Sequence, residues 1–288
     1  MSTDERWIDE NGDPIDEDHR GLVYDIRTLV DRRRALGIFG GIAATALLAA
    51  CAPQTTGSEA SEAPQGAPGG APPAEDDSDL LEGEVPNETA GPYPADGSNG
   101  VNVLDDSGIV RSDIRSSFGS SQTTAAGVSL EIVLTVRDAA TGSALAGAGV
   151  YLWHCDRDGN YSLYSDAAKD ENYLRGVQQT DEDGTVRFTS IYPACYSGRW
   201  PHIHFEVYED VDTAVATGPI VKTSQIALPE EANAKVYATS GYEQSVRNAS
   251  QVTLTGDNVF GDDGGIHQIA TMTGSVSGGY TAALTIAV

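Results

Sequence analysis

From residue 129 onward, apolar and polar positions alternate over short runs punctuated by Gly and Asp. Ser129 to Val136 reads Ser-Leu-Glu-Ile-Val-Leu-Thr-Val, a β-prone segment closed by turn residues from Asp138 to Gly142. Gly149 to His154 predicts a second strand, ended by Asp156-Arg157-Asp158-Gly159. Asp183-Gly184 is a hairpin-type turn signal before a strand over Thr185 to Thr189. Further strands are expected over Ile203 to Tyr208, Ile220 to Ile226, Val252 to Leu254, Gln268 to Met272 and Tyr280 to Val288. The best helical segment is Pro229 to Tyr237, opened by Pro with Glu230 and Glu231 near its N-terminus. Short strands between tight turns predict an all-β fold, an antiparallel β-sandwich with long loops and little helix.

The first half-hundred residues follow a different pattern. Arg32-Arg33-Arg34 precede an uncharged run of apolar and small residues, Ala35 to Ala50, too short for a membrane span and suited to a signal core. The run ends Leu48-Ala49-Ala50-Cys51, the pattern of a bacterial lipoprotein cleavage site, so Cys51 is expected to carry a lipid that attaches the chain to a membrane. The arginine cluster resembles a twin-arginine export signal. An uncleaved N-terminal anchor is the alternative, and either places the remainder outside the cytoplasm. Residues 1–50 are therefore read as an export signal. Residues 51–86, rich in Pro, Gly, Ala and acidic residues, are read as a disordered tether. Residues 87–288 remain for one domain. The formal net charge of −26 repels phosphate backbones and argues against a nucleic-acid partner. With Cys51 lipidated, Cys155 and Cys195 are left in an oxidising compartment, where a disulfide between them is an expectation and two buried thiols the alternative. The cysteines lack the spacing of a thiolate zinc site.

The candidate chemistry lies in Arg199-Trp200-Pro201-His202-Ile203-His204-Phe205. Histidines two apart on a strand share a face, so His202 and His204 form half of a metal site. Tyr196 lies just upstream, and Tyr161 follows the Asp-Gly turn after the second strand. Two phenolates with two imidazoles give two hard anionic oxygens, a set that suits ferric iron better than zinc or copper(I). Four ligands leave positions for solvent or substrate. Plainer roles are open too: Tyr161 in sheet-edge packing, Arg199 in a salt bridge on a very acidic protein, Gln225 as a strand-edge amide, and Trp200 as packing.

The order and neighbours of these residues resemble the intradiol ring-cleavage dioxygenases, in particular an exported bacterial branch. The matching stretches are Thr89-Ala90-Gly91-Pro92-Tyr93, Arg111-Ser112-Asp113-Ile114, Gly147 through Tyr161, Thr180 through Pro193, Pro193-Ala194-Cys195-Tyr196, Arg199 through Phe205, and Thr223-Ser224-Gln225. They span about residue 88 to the C-terminus. The resemblance implies a non-haem Fe(III) centre held by Tyr161, Tyr196, His202 and His204 in a sandwich fold. It also implies a catechol-type substrate cleaved by O2 between its two hydroxyl-bearing carbons, giving a muconate-type diacid, as in aromatic compound catabolism. Tyr196 would be the labile ligand and general base, Arg199 the fixed cation, and Gln225 a hydrogen-bonding group near the oxygen site. Tyr164 competes with Tyr161, and the Asp-Gly-Asn-Tyr match favours Tyr161.

Ala194 and Cys195 depart from the family pattern, where glycine and a bulky residue are more usual, and the segment between Tyr196 and His202 is short. Two other readings stay open: a metal-free transthyretin-like binding module of the cell surface, and a family fold that binds catechol or iron without turnover. His154 is read as a packed core histidine and His267 as exposed. Asn87-Glu88-Thr89 and Asn248-Ala249-Ser250 match a glycosylation pattern that carries little meaning in a bacterial lipoprotein.

Overall fold

The structure is a computed structural model and describes residues 81 and 83–288. The readings of the export signal, of Cys51 and of nearly all of the tether fall outside the described residues. Within them, eight strands form two four-stranded sheets. These are β1 (Ser129–Arg137), β2 (Gly149–Trp153), β3 (Arg175–Gln179), β4 (Thr185–Ile191), β5 (His202–Tyr208), β6 (Ile220–Ala227), β7 (Thr271–Ser275) and β8 (Gly279–Ala287). One sheet has the order β4-β1-β8-β7 and the other β3-β2-β5-β6. Every pairing is antiparallel except β1 with β8. The fold is the all-β sandwich the patterning predicts.

Strand periodicity builds the core. Leu130, Ile132, Leu134 and Val136 of β1 point inward with Phe188 of β4 and Ile286 of β8. They meet Val150 and Leu152 of β2 and Ile203, Phe205 and Val207 of β5. Burying such aliphatic and aromatic side chains contributes roughly 1.5–3 kcal/mol each. At the N-terminal edge of the described chain, Val85 is fully buried and its N–H donates to Ala287 O. Glu84 there accepts from the buried Lys222 at 2.8 Å.

The opposite face of the β2–β5 sheet is also buried. All seven positions of β5 are inaccessible. Tyr151 and Trp153 of β2, and His204 of β5, lie on this second face under the chain's loops and segments. A sheet in a sandwich ordinarily leaves one face wet. Here that face carries polar residues and is roofed, an arrangement that builds a site.

Several expectations are corrected. β3 is absent from the sequence reading. Residues 252–254 are not a strand: a 3-10 turn covers Leu254–Gly256. The strand expected over Gln268 to Met272 begins later, at Thr271. The Asp181–Gly184 turn forms, with Gly184 N–H donating to Asp181 O, yet it links β3 and β4 in different sheets and so is not a hairpin. Gly184 is needed there: its φ is +73°, and a Cβ would lie 2.5 Å from Val136 O. Besides α2 (Glu230–Tyr237), which the predicted Pro229 precedes as an extended N-cap, two short helices occur among the described residues, α1 (Val211–Val215) and α3 (Glu243–Ala249). Cys155 and Cys195 are free, buried thiols and do not form the expected disulfide. They sit in separate apolar clusters, and Cys195 Sγ is directed at Arg199 O, 3.4 Å away.

His154 is buried, with Nδ1 2.7 Å from Cys155 O and Nε2 2.7 Å from Ser190 Oγ. Burial pushes its pKa down to about 4 from the ordinary 6.5. The unfolded chain therefore binds a proton here that the folded chain excludes, and stability falls as pH drops through that window. His154→Gln is expected to remove about one proton's worth of slope, ~1.4 kcal/mol per pH unit. Urea unfolding between about pH 4 and 6.5 measures it, and an unchanged slope contradicts the assignment. His267 is exposed, as expected.

Candidate metal centre

β5 supplies the two imidazoles. Because side chains alternate, Ile203 and Phe205 enter the sandwich core while His202 and His204 share the roofed face. Their Nε2 atoms approach to 3.1 Å. His202 Nδ1 lies 2.6 Å from Trp200 O, an acceptor only, so Nδ1 carries the proton and Nε2 presents a lone pair. Burial holds both rings well below the usual imidazole pKa, hence neutral. His204 is stacked on Trp153, with centroids 4.9 Å apart and planes 6° apart. Trp153 and His204 are direct cross-strand partners, so register sets this stack.

The phenols arrive from loops. Tyr196 follows the end of β4, and its hydroxyl lies 3.3 Å from His202 Nε2. Tyr161 comes from the long loop between β2 and β3. Its ring is 6.0 Å from that of Tyr196 and 6.2 Å from that of His204, and it packs on Tyr93 at 4.8 Å. The Tyr161 hydroxyl is buried without a hydrogen-bond partner. Tyr164 is otherwise engaged: its hydroxyl accepts from Ala95 N–H at 2.8 Å and donates to Asn99 Oδ1 at 2.9 Å. Geometry thus separates the two competitors.

The four expected ligands therefore converge on one buried locus. Orphaned polar atoms cost free energy unless something satisfies them. The Tyr161 hydroxyl and the two facing imidazole nitrogens suit a cation once the shared Nε2 proton is lost. Burial raises the Tyr161 pKa well above the ordinary phenol value, so ionisation there requires a nearby positive charge. Among the described residues, no group of three or more His, Cys, Asp or Glu side chains is placed to hold a metal. The donor set depends on its two phenols.

Arg199 lies beside this locus. Its NH1 is 3.4 Å from His202 Nε2, NH2 donates to Gln225 Oε1 at 2.7 Å, and Nε donates to Asp257 Oδ2 at 3.0 Å. The guanidinium does form a salt bridge, with Asp257, and the pair is buried. Gln225, opposite His204 in the ladder, is held at its other end by Thr89 O at 2.9 Å. Trp200 packs with Ala227, Val259 and Phe260 and donates from Nε1 to Leu228 O.

Asp257, Trp153 and the roof around Gly91 and Tyr93 bear on the locus in ways that residue chemistry alone missed, although residues 89–93 figured in the family resemblance. Gly91 packs on the His204 edge with φ +73°, where a Cβ would sit 3.4 Å from His204 Cε1. Gly91→Ala is expected to cost about 1–2 kcal/mol from the left-handed backbone. The added Cβ would make only ordinary contact with the His204 ring, so the effect is read as a lowered denaturation midpoint, and an unchanged midpoint would contradict the left-handed conformation.

Known proteins resemble this chain in sequence and in fold. A family model described as "Dioxygenase" matches residues 115–205, which contain all four expected ligands. A chlorocatechol 1,2-dioxygenase of Rhodococcus opacus is 44% identical over 62 residues, a stretch covering 22% of this chain and 24% of that protein. An intradiol ring-cleavage dioxygenase of Tetranychus urticae superposes with a TM-score of 0.55 at 27% identity, covering 71% of this chain and 93% of that one. A second solved dioxygenase gives 0.56 at 26% identity, with the same coverage of both chains. These matches support the intradiol dioxygenase family for this chain.

Proposed function

We propose that this chain is an exported non-haem Fe(III) intradiol dioxygenase that cleaves catechols with O2 between the hydroxyl-bearing carbons, giving muconate-type diacids. The observation that carries the reading is the convergence of Tyr161, Tyr196, His202 and His204 on one buried locus beside a fixed guanidinium. Those four residues would hold the ion. When bound, ferric iron would supply Lewis acidity toward a catecholate and the redox chemistry that dioxygen requires.

The chain's own groups have distinct tasks. His202 is fixed by Trp200 O and His204 by Trp153, so both rings keep their orientation. Tyr196 is 6% exposed against 1% for Tyr161, which makes it the phenol nearer to solvent and to an entering substrate. Its hydroxyl oxygen, as phenolate, accepts a catechol proton. Arg199 holds positive charge at the His202 edge, where it stabilises negative charge developing on the ring. The roof excludes bulk water, which strengthens these interactions. Export through the N-terminal signal and attachment by a lipid on Cys51 are part of the proposal and rest on the sequence pattern.

Oxygen uptake by ferric-loaded protein on a small panel of substituted catechols tests the reading. Consumption of one O2 per catechol with formation of a diacid is the expected result. Protein that takes up no iron favours a metal-free transthyretin-like binding module. Iron binding without oxygen uptake favours a fold that has lost turnover.

A further inference from the structure

Asp257 lies in a turn-rich stretch far from the other site residues in sequence, 58 positions from Arg199. Its side chain is completely inaccessible, and that of Arg199 is 3% exposed. Oδ2 accepts from Arg199 Nε at 3.0 Å and from Trp200 N–H at 2.6 Å. Oδ1 accepts from the N–H groups of Val259 and Phe260 at 2.9 and 3.2 Å. Both oxygens are thus held by four donors, so the carboxylate is fixed before anything binds.

The guanidinium is held on three sides. Asp257 takes Nε, Gln225 takes NH2, and NH1 is left directed toward His202 Nε2 at 3.4 Å. An arginine side chain has several rotatable bonds, and a planar fork is useful only when its plane is set. Gln225 is neutral and offers one contact. Asp257 supplies the charged one, at the atom where the fork joins its stem. A charge-assisted bond in a dry interior is the stronger constraint. Phe260, which Asp257 anchors through its N–H, also lies under the Arg199 guanidinium at 5.9 Å and 6.5 Å from the His202 ring. One carboxylate therefore sets both the cation and the aromatic beneath it.

We propose that Asp257 is the positioning residue of the site, orienting Arg199 so that one guanidinium nitrogen faces the substrate side of His202. The inference deepens the dioxygenase reading and rests on it for its effect on turnover. The geometric part stands without iron.

Two measurements test it. Asp257→Asn retains an acceptor for Val259 and Phe260 but loses the charge and turns an N–H donor toward Arg199. In ferric-loaded protein, kcat on catechol is expected to fall about 10- to 100-fold, with KM and bound iron little changed. In an Arg199→Lys background the same substitution should add less than about threefold, because Asp257 acts through Arg199. Losses that simply multiply would assign Asp257 a structural role and overturn the proposal. In metal-free protein, the Arg199 Nε–H resonance should be protected from exchange and become exposed in Asp257→Asn. Unchanged protection also overturns the proposal. If the wild-type chain shows no iron-dependent turnover, the functional reading fails while the exchange measurement still decides the role of Asp257.

Discussion

His204→Ala is expected to lower ferric-ion affinity by more than about 100-fold, beyond the 10- to 100-fold typical of residues that only support a ligand. The substitution removes one of two facing Nε2 donors, 3.1 Å apart, and leaves His202 to bind with the phenols alone. It also empties the space between Trp153 and Gly91. A large-to-small change at a buried ring costs about 3 kcal/mol or more in the metal-free protein. The two effects separate cleanly: equilibrium metal titration reads the first, and urea unfolding without metal reads the second. Affinity that stays within about tenfold of wild type would remove His204 from the ligand set.

Arg199→Met is expected to give the largest combined loss. Breaking a buried ion pair by removing one partner costs about 3–5 kcal/mol, because the remaining charge is stranded. Asp257 would be that charge, inaccessible and without another cation in contact. Gln225 Oε1 loses its donor as well. For turnover, loss of a fixed cation beside developing negative charge corresponds to about 10²–10³ in kcat, by analogy with removal of a preorganised donor. Denaturant unfolding and steady-state kinetics at saturating catechol check the two numbers. A variant as stable as wild type would show that the pair contributes little to the fold.

The half of the site on β5 was legible because parity along a strand is a hard geometric rule. His202 and His204 could share a face only if the segment was β, and the apolar Ile203 and Phe205 between and after them fixed which face entered the core. The tyrosines were less legible. Tyr161 and Tyr164 lie three apart in one loop, and tertiary contacts distinguish them: Tyr161 packs near Tyr196 and His204, while the Tyr164 hydroxyl is engaged by Ala95 and Asn99. Asp257 was invisible: in Leu254-Thr255-Gly256-Asp257 it reads as an ordinary turn residue, and its partner is set by tertiary approach alone. β3 was missed because Arg-Gly-Val-Gln-Gln carries no apolar alternation, and its buried Arg175 is satisfied by Ser162 and Pro94 rather than by solvent. The run at 252–254 was apolar for another reason: it packs near Trp200 at the surface of the fold, not in a sheet. The parallel pairing of β1 with β8 joins residues about 150 apart, a separation at which local pattern carries no register.

The most direct test is the visible absorption spectrum of the purified chain titrated with ferric ion. One ion per chain should produce a broad tyrosinate-to-iron charge-transfer band that shifts on adding catechol and weakens in Tyr161→Phe. A chain that stays colourless through the titration, or a band indifferent to Tyr161→Phe, would contradict the four-residue centre on which the account depends.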